Sequence, residues 1–268
     1  MMQRLPSAQL VIACCALLLC ALALSGIIPA VFPYDDAYIT GRNAALLVAG
    51  GQDAAFQTAA LTGSSSTVHV VLVAALALFS TPETALLLAS ILALWLYAAG
   101  ACKAAQLLTP PAQRYWAFAL FFIISLAPLQ LANGLDTGLA MALALWLLVL
   151  ALLQTPASLL LLAIVAGLSL HIRLELTALA GLAVLSRLYD MRHAPRYKLV
   201  LTATLLGAAI AVLPALWVHQ QTGFWLPHTW QSKAAFYAEA CLPFMLKARS
   251  TGFDLFMRGT KAGVRGTV

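Results

Sequence analysis

The chain has 268 residues, of which 63% are hydrophobic and 9% charged. Its mean hydropathy is +0.93, and a soluble domain carries roughly 25% charged residues, so a water-soluble enzyme is excluded and an all-α polytopic membrane protein is predicted. The formal charge of +6 comes from Lys and Arg in short loops between apolar runs, as the positive-inside bias requires, which excludes a nucleic-acid partner.

In chain order, the first apolar run covers 9–31. Met1 to Arg4 ahead of it resembles the start of a signal peptide, with Ala21-Leu22-Ala23 as a cleavage site, but the run exceeds the roughly 7–15 residues of such a segment and reads as an uncleaved first span. Cys14, Cys15 and Cys20 fall inside it, while Cys102 and Cys241 stand apart. That spacing suits neither a disulfide framework nor a metal site, and the cysteines read as small packing residues.

A first outer loop, 32–66, follows. It opens with Tyr34-Asp35-Asp36-Ala37-Tyr38-Ile39, two adjacent carboxylates in a chain that otherwise avoids charge. An unpaired carboxylate in hydrocarbon costs roughly 3 kcal/mol or more, so such a pair needs compensation or a function. The spacing of Ile39, Leu46 and Leu47 predicts a short amphipathic helix on the membrane surface, with the acids at its N-terminus, where the helix dipole favours their ionised form.

The remaining apolar runs are 67–80, 83–107, 114–132, 136–153, 157–172, 174–189 and 198–218. A span needs about 20 apolar residues, and 67–80 is too short. Treating it as a surface or re-entrant segment leaves about seven spans. It also puts Arg4, the turn with Lys103 and Arg114, and the cluster of Arg187, Arg192, Arg196 and Lys198 in the cytoplasm together with the N-terminus. Asp35, Asp36, Arg42, Asp53, His69, Glu83, Asp136, His171, Arg173, Glu175, His228 and Lys233 then share the outer face, and Asp190 lies inside. Acids contribute little to orientation, so this asymmetry marks a site.

Within that site Asp136, after Asn133-Gly134-Leu135, reads as a helix N-cap that can also face a cleft. His171-Ile172-Arg173-Leu174-Glu175 interrupts an apolar stretch. It is either a turn held by an Arg173–Glu175 ion pair or a phosphate-binding arginine, whose guanidinium matches phosphate oxygens in pairs. Trp225 and Trp230, flanking Leu226-Pro227-His228-Thr229, read as interfacial anchors or as a shelf for sugar rings. The transmembrane domain is assigned to 1–240, and 241–268 to a short basic tail, Gly-rich at its end, that is expected to be disordered or truncated.

Four separated pieces resemble one family. Asp35-Asp36-Ala37-Tyr38-Ile39 with Arg42-Asn43 is similar to the DDAYI segment of GT-C glycosyltransferases related to the mycobacterial arabinofuranosyltransferases and, more distantly, to the protein O-mannosyltransferases. Gly134-Leu135-Asp136-Thr137 resembles that group's G-M/L-E-T, Arg173-Leu174-Glu175 its RPE, and Leu226-Pro227-His228-Thr229 with Lys233 its LPNTxxxK. The order and spacing agree over 9–240. Asp136 replaces Glu, Leu174 replaces Pro, His228 replaces Asn, and Ser64 to Thr67 stand where the family often has YTSP.

The resemblance implies a GT-C-like fold and a bacterial inner-membrane enzyme. Such an enzyme moves a sugar from a polyprenyl-phosphate donor to a hydroxyl of a glycan, lipid or protein acceptor on the periplasmic side. It makes Asp35 or Asp36 the catalytic base and Arg42, Asp136, Arg173, Glu175, His228 and Lys233 substrate-binding residues, with membrane lipid as a further partner. Adjacent acids can also take a divalent cation, but no third ligand is evident and no metal site is assigned. Further C-terminal spans are implied as well, so the chain is expected to be truncated. The alternatives are a non-catalytic paralogue, a partner subunit or a transporter.

Overall fold

The computed structural model describes residues 6–53, 58–124, 133–191 and 197–225, and these are almost wholly helical. Among them are nine α-helices: α1 (Pro6–Leu24), α2 (Asp35–Val48), α3 (Thr67–Ala77), α4 (Pro82–Leu108), α5 (Arg114–Ile124), α6 (Asp136–Leu152), α7 (Pro156–Ile172), α8 (Leu174–Asp190) and α9 (Tyr197–Thr222). A two-residue antiparallel ladder, β1 (Gln52–Asp53) with β2 (Thr58–Ala59), closes the first loop, pairing Gln52 with Ala59 and Asp53 with Thr58. Hydropathy carries no trace of this ladder.

Helix ends follow local chemistry. α1 stops well before the end of its apolar run, because Gly26 takes a φ of +74° and Ser25 Oγ donates to the Leu22 carbonyl at 3.0 Å, which closes the last turn. Thr81 caps α4 by accepting from the Thr84 N–H at 3.2 Å, with Pro82 at the first helical position, and a reciprocal Thr155–Ser158 box starts α7. Both are ordinary N-terminal devices. α5 begins where expected and is described as far as Ile124; the rest of the predicted 114–132 run lies outside the described residues.

Among the described residues two helices, α4 and α9, are long and apolar enough to cross a membrane. They differ in surroundings. In its most apolar stretch α4 is 61% buried, whereas α9 is only 6% buried. An apolar helix with so little of itself buried is unlike the mostly buried core helix of a water-soluble fold and is compatible with a lipid-facing position.

Packing is by small residues at close range. α4 lies against α6, with Ala93, Ala101 and Ala104 meeting Leu139, Ala142 and Leu143, and Trp146 Nε1 donates to the Leu96 carbonyl at 2.9 Å. α7 and α9 approach through Ala163 and Gly167 on one side and Ala203, Gly207 and Ala211 on the other. A Cβ at Gly167 would stand 2.6 Å from the Gly207 carbonyl oxygen. Residues four apart that are small on both partners let two helix backbones touch.

The expected amphipathic helix is present as α2, but its packing face differs. Ala37, Gly41 and Ala44 are buried, while Ile39 is 46% exposed. A Cβ on Gly41 would meet Leu86 Cδ1 at 3.0 Å, so the small residues carry the closest contact with α4, while Ile39 turns outward and Leu47 packs partly buried against the same cluster. α3, with 11 residues, is about 16 Å long, too short to cross a bilayer.

Candidate functional site

The first motif supplies a helix start. α2 begins at Asp35, with Tyr34 as its N-cap and no side chain capping the first turn, so the positive end of the helix dipole coincides with the two acids. Asp36 is exposed. Tyr38 Oη accepts from the Phe32 N–H at 3.2 Å, and the two rings meet edge to face, 6.0 Å between centroids. Phe32 in turn lies against Gly134: a Cβ there would come within 2.5 Å of the Phe32 ring, and Gly134 has a φ of +76°. Both facts demand glycine. Tyr38 of the first motif thus holds the residue that seats the second.

The Asn133-Gly134-Leu135-Asp136 turn corrects one expectation. Asp136 is the first residue of α6 rather than its cap; Leu135 is the N-cap and makes no side-chain bond. Asn133 shapes the turn instead, its Oδ1 accepting from the Leu135 N–H at 2.9 Å. The Asp136 carboxylate is thereby free to point elsewhere. Ser65 Oγ donates to its Oδ2 at 3.0 Å, and Arg173 Nη2 donates to its Oδ1 at 3.3 Å.

A second correction concerns Arg173. It pairs with Asp136, not with Glu175, which stands exposed in the first turn of α8. The reason is geometric: Arg173 has extended backbone angles between α7 and α8, and this break turns its side chain back towards the start of α6. Asp136 is 6% exposed in its side chain and Arg173 41%. A shielded carboxylate therefore orients a guanidinium whose remaining face is open to a ligand.

The loop before α3 completes the site. Ser66 is buried and satisfied on both sides, accepting from the His69 N–H at 3.2 Å and donating to the His171 carbonyl at 3.3 Å. His171 Nε2 lies 2.8 Å from the Ala211 carbonyl oxygen, in the turn of α9 that Pro214 loosens; a carbonyl only accepts, so this nitrogen carries the proton. His69 is buried beside Asp136. Desolvation pushes its pKa down to about 4, against the opposite pull of the Asp136 charge. Its Nδ1 has no hydrogen-bond partner among the described residues.

Arg42 occupies a different place from the rest. Its Nη2 donates to Asp53 Oδ2 at 2.7 Å, clamping α2 to the β1–β2 ladder. Trp225 is exposed and stacks on His219 with centroids 4.0 Å apart. His228, Lys233 and Trp230 lie outside the described residues, as do Cys241 and the tail.

The structure thus joins Asp136 and Arg173, links them to the first loop through Ser65 and Ser66, and brings Phe32, three residues ahead of Asp35, against Gly134. The sequence reading assigns no role to Ser65 or Ser66. Besides standing where the resembling family often has YTSP, they are signalled by a polar run, Gly63-Ser64-Ser65-Ser66-Thr67, immediately before an apolar helix, which marks an N-cap. Among the described residues no three His, Cys, Asp or Glu side chains converge as metal ligands would. Comparison with family models, curated proteins and solved structures finds no match for this chain.

Proposed function

We infer that the protein is a membrane glycosyltransferase, moving a sugar from a polyprenyl-phosphate donor to an acceptor hydroxyl at the outer face of a bacterial inner membrane. The observation that carries this reading is the Ser65–Asp136–Arg173 cluster, a half-exposed guanidinium oriented by a buried carboxylate at the end of the bundle where α2 begins with Asp35 and Asp36. A polyprenyl phosphate offers the complementary group, a phosphate at the headgroup end of an apolar chain. The exposed apolar length of α9 suits the lipid surroundings such a donor needs, and the arrangement fits about seven spans with the N-terminus in the cytoplasm.

The chemistry follows from the groups. The departing polyprenyl phosphate is a good leaving group, so one carboxylate suffices to take the proton from the incoming hydroxyl as the new glycosidic bond forms. Asp35 or Asp36 has that role. Arg173 neutralises the charge that grows on the departing phosphate, and Asp136 and Ser65 hold it in position. Lys233 is a second cation for the same phosphate by the sequence resemblance, with His228, Glu175 and Arg42 contacting donor or acceptor.

The test is transfer from a panel of polyprenyl-phosphate sugars by the protein in lipid nanodiscs, read by mass spectrometry. Replacement of the base, by Asp35→Asn or Asp36→Asn, is expected to lower transfer by about 10²–10⁴-fold, and Arg173→Gln by about 10²–10³-fold, all with unchanged insertion. Transfer undiminished in both Asp variants would refute a first-loop base.

A further inference from the structure

At the end of α6 remote from Asp136, 17 residues along that helix and so about 25 Å away, the α6–α7 loop, the last turn of α8 and the first turn of α9 line a half-open cavity of about 210 Å³. Gln154, Thr155, Arg187 and Asp190 line it beside the apolar Leu159 and Leu199. A water takes up about 30 Å³ in the liquid, so the space holds several waters or one compact polyatomic ion.

Arg187 is the unusual member. It is 3% exposed, and its partners are neutral: Nη1 donates to Gln154 Oε1 and Nη2 to the Thr155 carbonyl at 3.4 Å. Its Nε has no hydrogen-bond partner among the described residues. The acid at the cavity, Asp190, accepts from Gln154 Nε2 at 3.1 Å and forms no ion pair with Arg187. A buried guanidinium calls for an anion, and among the described residues one is supplied only at second hand, through the Gln154 amide. The N-terminus of α7, opening at Thr155, adds positive potential from its dipole. The flanking sequence is also basic, with Arg192, Arg196 and Lys198 following.

We propose that this cavity binds a phosphate oxyanion, with Arg187 as its principal cation and Gln154 holding the guanidinium in place. The carboxylate of Asp190 on the same wall disfavours a second negative charge. The ligand class is therefore a singly charged phosphate, either the phosphodiester of an anionic phospholipid headgroup or free dihydrogen phosphate. Basic pockets at helix ends are suited to such headgroups. The site is separate from the one built on Asp136 and is independent of sugar transfer.

The full-length protein in detergent, titrated with phosphatidylglycerol and followed by native mass spectrometry, is expected to bind one lipid saturably or, if the ligand is free phosphate, one inorganic phosphate. Arg187→Gln removes the cation, and Leu199→Trp fills the cavity while leaving Arg187 in place. Both are expected to weaken binding tenfold or more, and because Leu199→Trp keeps the buried polar network it decides the matter if Arg187→Gln does not fold. Displacement of the lipid by millimolar inorganic phosphate, or binding of phosphate alone, identifies the free ion as the ligand; saturable lipid binding indifferent to phosphate identifies the headgroup. Binding of neither probe, or affinities within twofold of the parent in the folded variants, overturns the proposal.

Discussion

His69 shows how a single residue reports its surroundings. Its pKa falls from the usual 6.5 to about 4 because burial disfavours the imidazolium. Below pH 6.5 the unfolded chain binds this proton and the folded one does not, so stability is complete above about 6.5 and declines as the pH falls towards 4. The slope contributed by this group approaches about 1.4 kcal/mol per pH unit within that window. Thermal unfolding of the parent and of His69→Gln at pH 7 and pH 5 checks this: the parent should lose stability relative to the variant, and equal losses would place the titration elsewhere. The Asp136–Arg173 pair makes a second prediction at this scale. With one partner shielded and the other half exposed, a double-mutant cycle of Asp136→Asn and Arg173→Gln should give a coupling of about 1 kcal/mol, above the typical exposed pair. A coupling near zero would mean that the two side chains do not meet in solution.

At the scale of elements, the contact between α7 and α9 is set by the absence of side chains. A Cβ at Gly167 collides with the Gly207 carbonyl oxygen and with Ile210, whereas a Cβ at Gly181 on α8 meets nothing within 4 Å. Gly167→Ala should therefore destabilise by about 1–3 kcal/mol through forced separation of the helices. Gly181→Ala should be neutral or stabilise by up to about 1 kcal/mol, since alanine restricts the unfolded chain and favours helix. Thermal melts of the two variants distinguish close backbone approach from a general intolerance of substitution, and equal melting temperatures would contradict the packing described. The same logic explains the α2 face. Hydropathy picks out Ile39, Leu46 and Leu47 because they are large and apolar, but at a close crossing the residues that matter are the small ones, Ala37, Gly41 and Ala44.

For the whole molecule, the short α3 decides the parity of the topology. In the proposed seven-span topology, where α3 does not cross, Glu83 and Glu175 are expected on the outer side and Asp190 in the cytoplasm. In a cysteine-free background, Glu83→Cys and Glu175→Cys should be labelled from outside intact cells by an impermeant maleimide and Asp190→Cys should not. If α3 crossed the bilayer, every later position would change sides: Glu175→Cys would be protected and Asp190→Cys labelled. Either pattern is informative because α6, α7 and α8 follow one another with short connections.

What the sequence determined by itself was the helical, lipid-compatible character of the chain and the places where helices begin. These properties are local: apolar runs, proline, and Ser or Thr ahead of a run act within a turn or two of themselves, so the sequence places the starts of α2 and α4 at residues 36 and 83, each within one residue of the observed Asp35 and Pro82. It also singled out Asp136, as a cap that can face a cleft, and Arg173, as a turn ion pair or a phosphate-binding arginine. What only the tertiary structure decided was which of them pair. Ser65 and Asp136 are 71 residues apart and Asp136 and Arg173 are 37 apart, and no periodicity spans such distances. A carboxylate with a capping position in the sequence became the partner of an arginine because Asn133 took over the turn and the break between α7 and α8 aimed Arg173 at it. Low dielectric then favours the nearest opposite charge over the nearest in sequence.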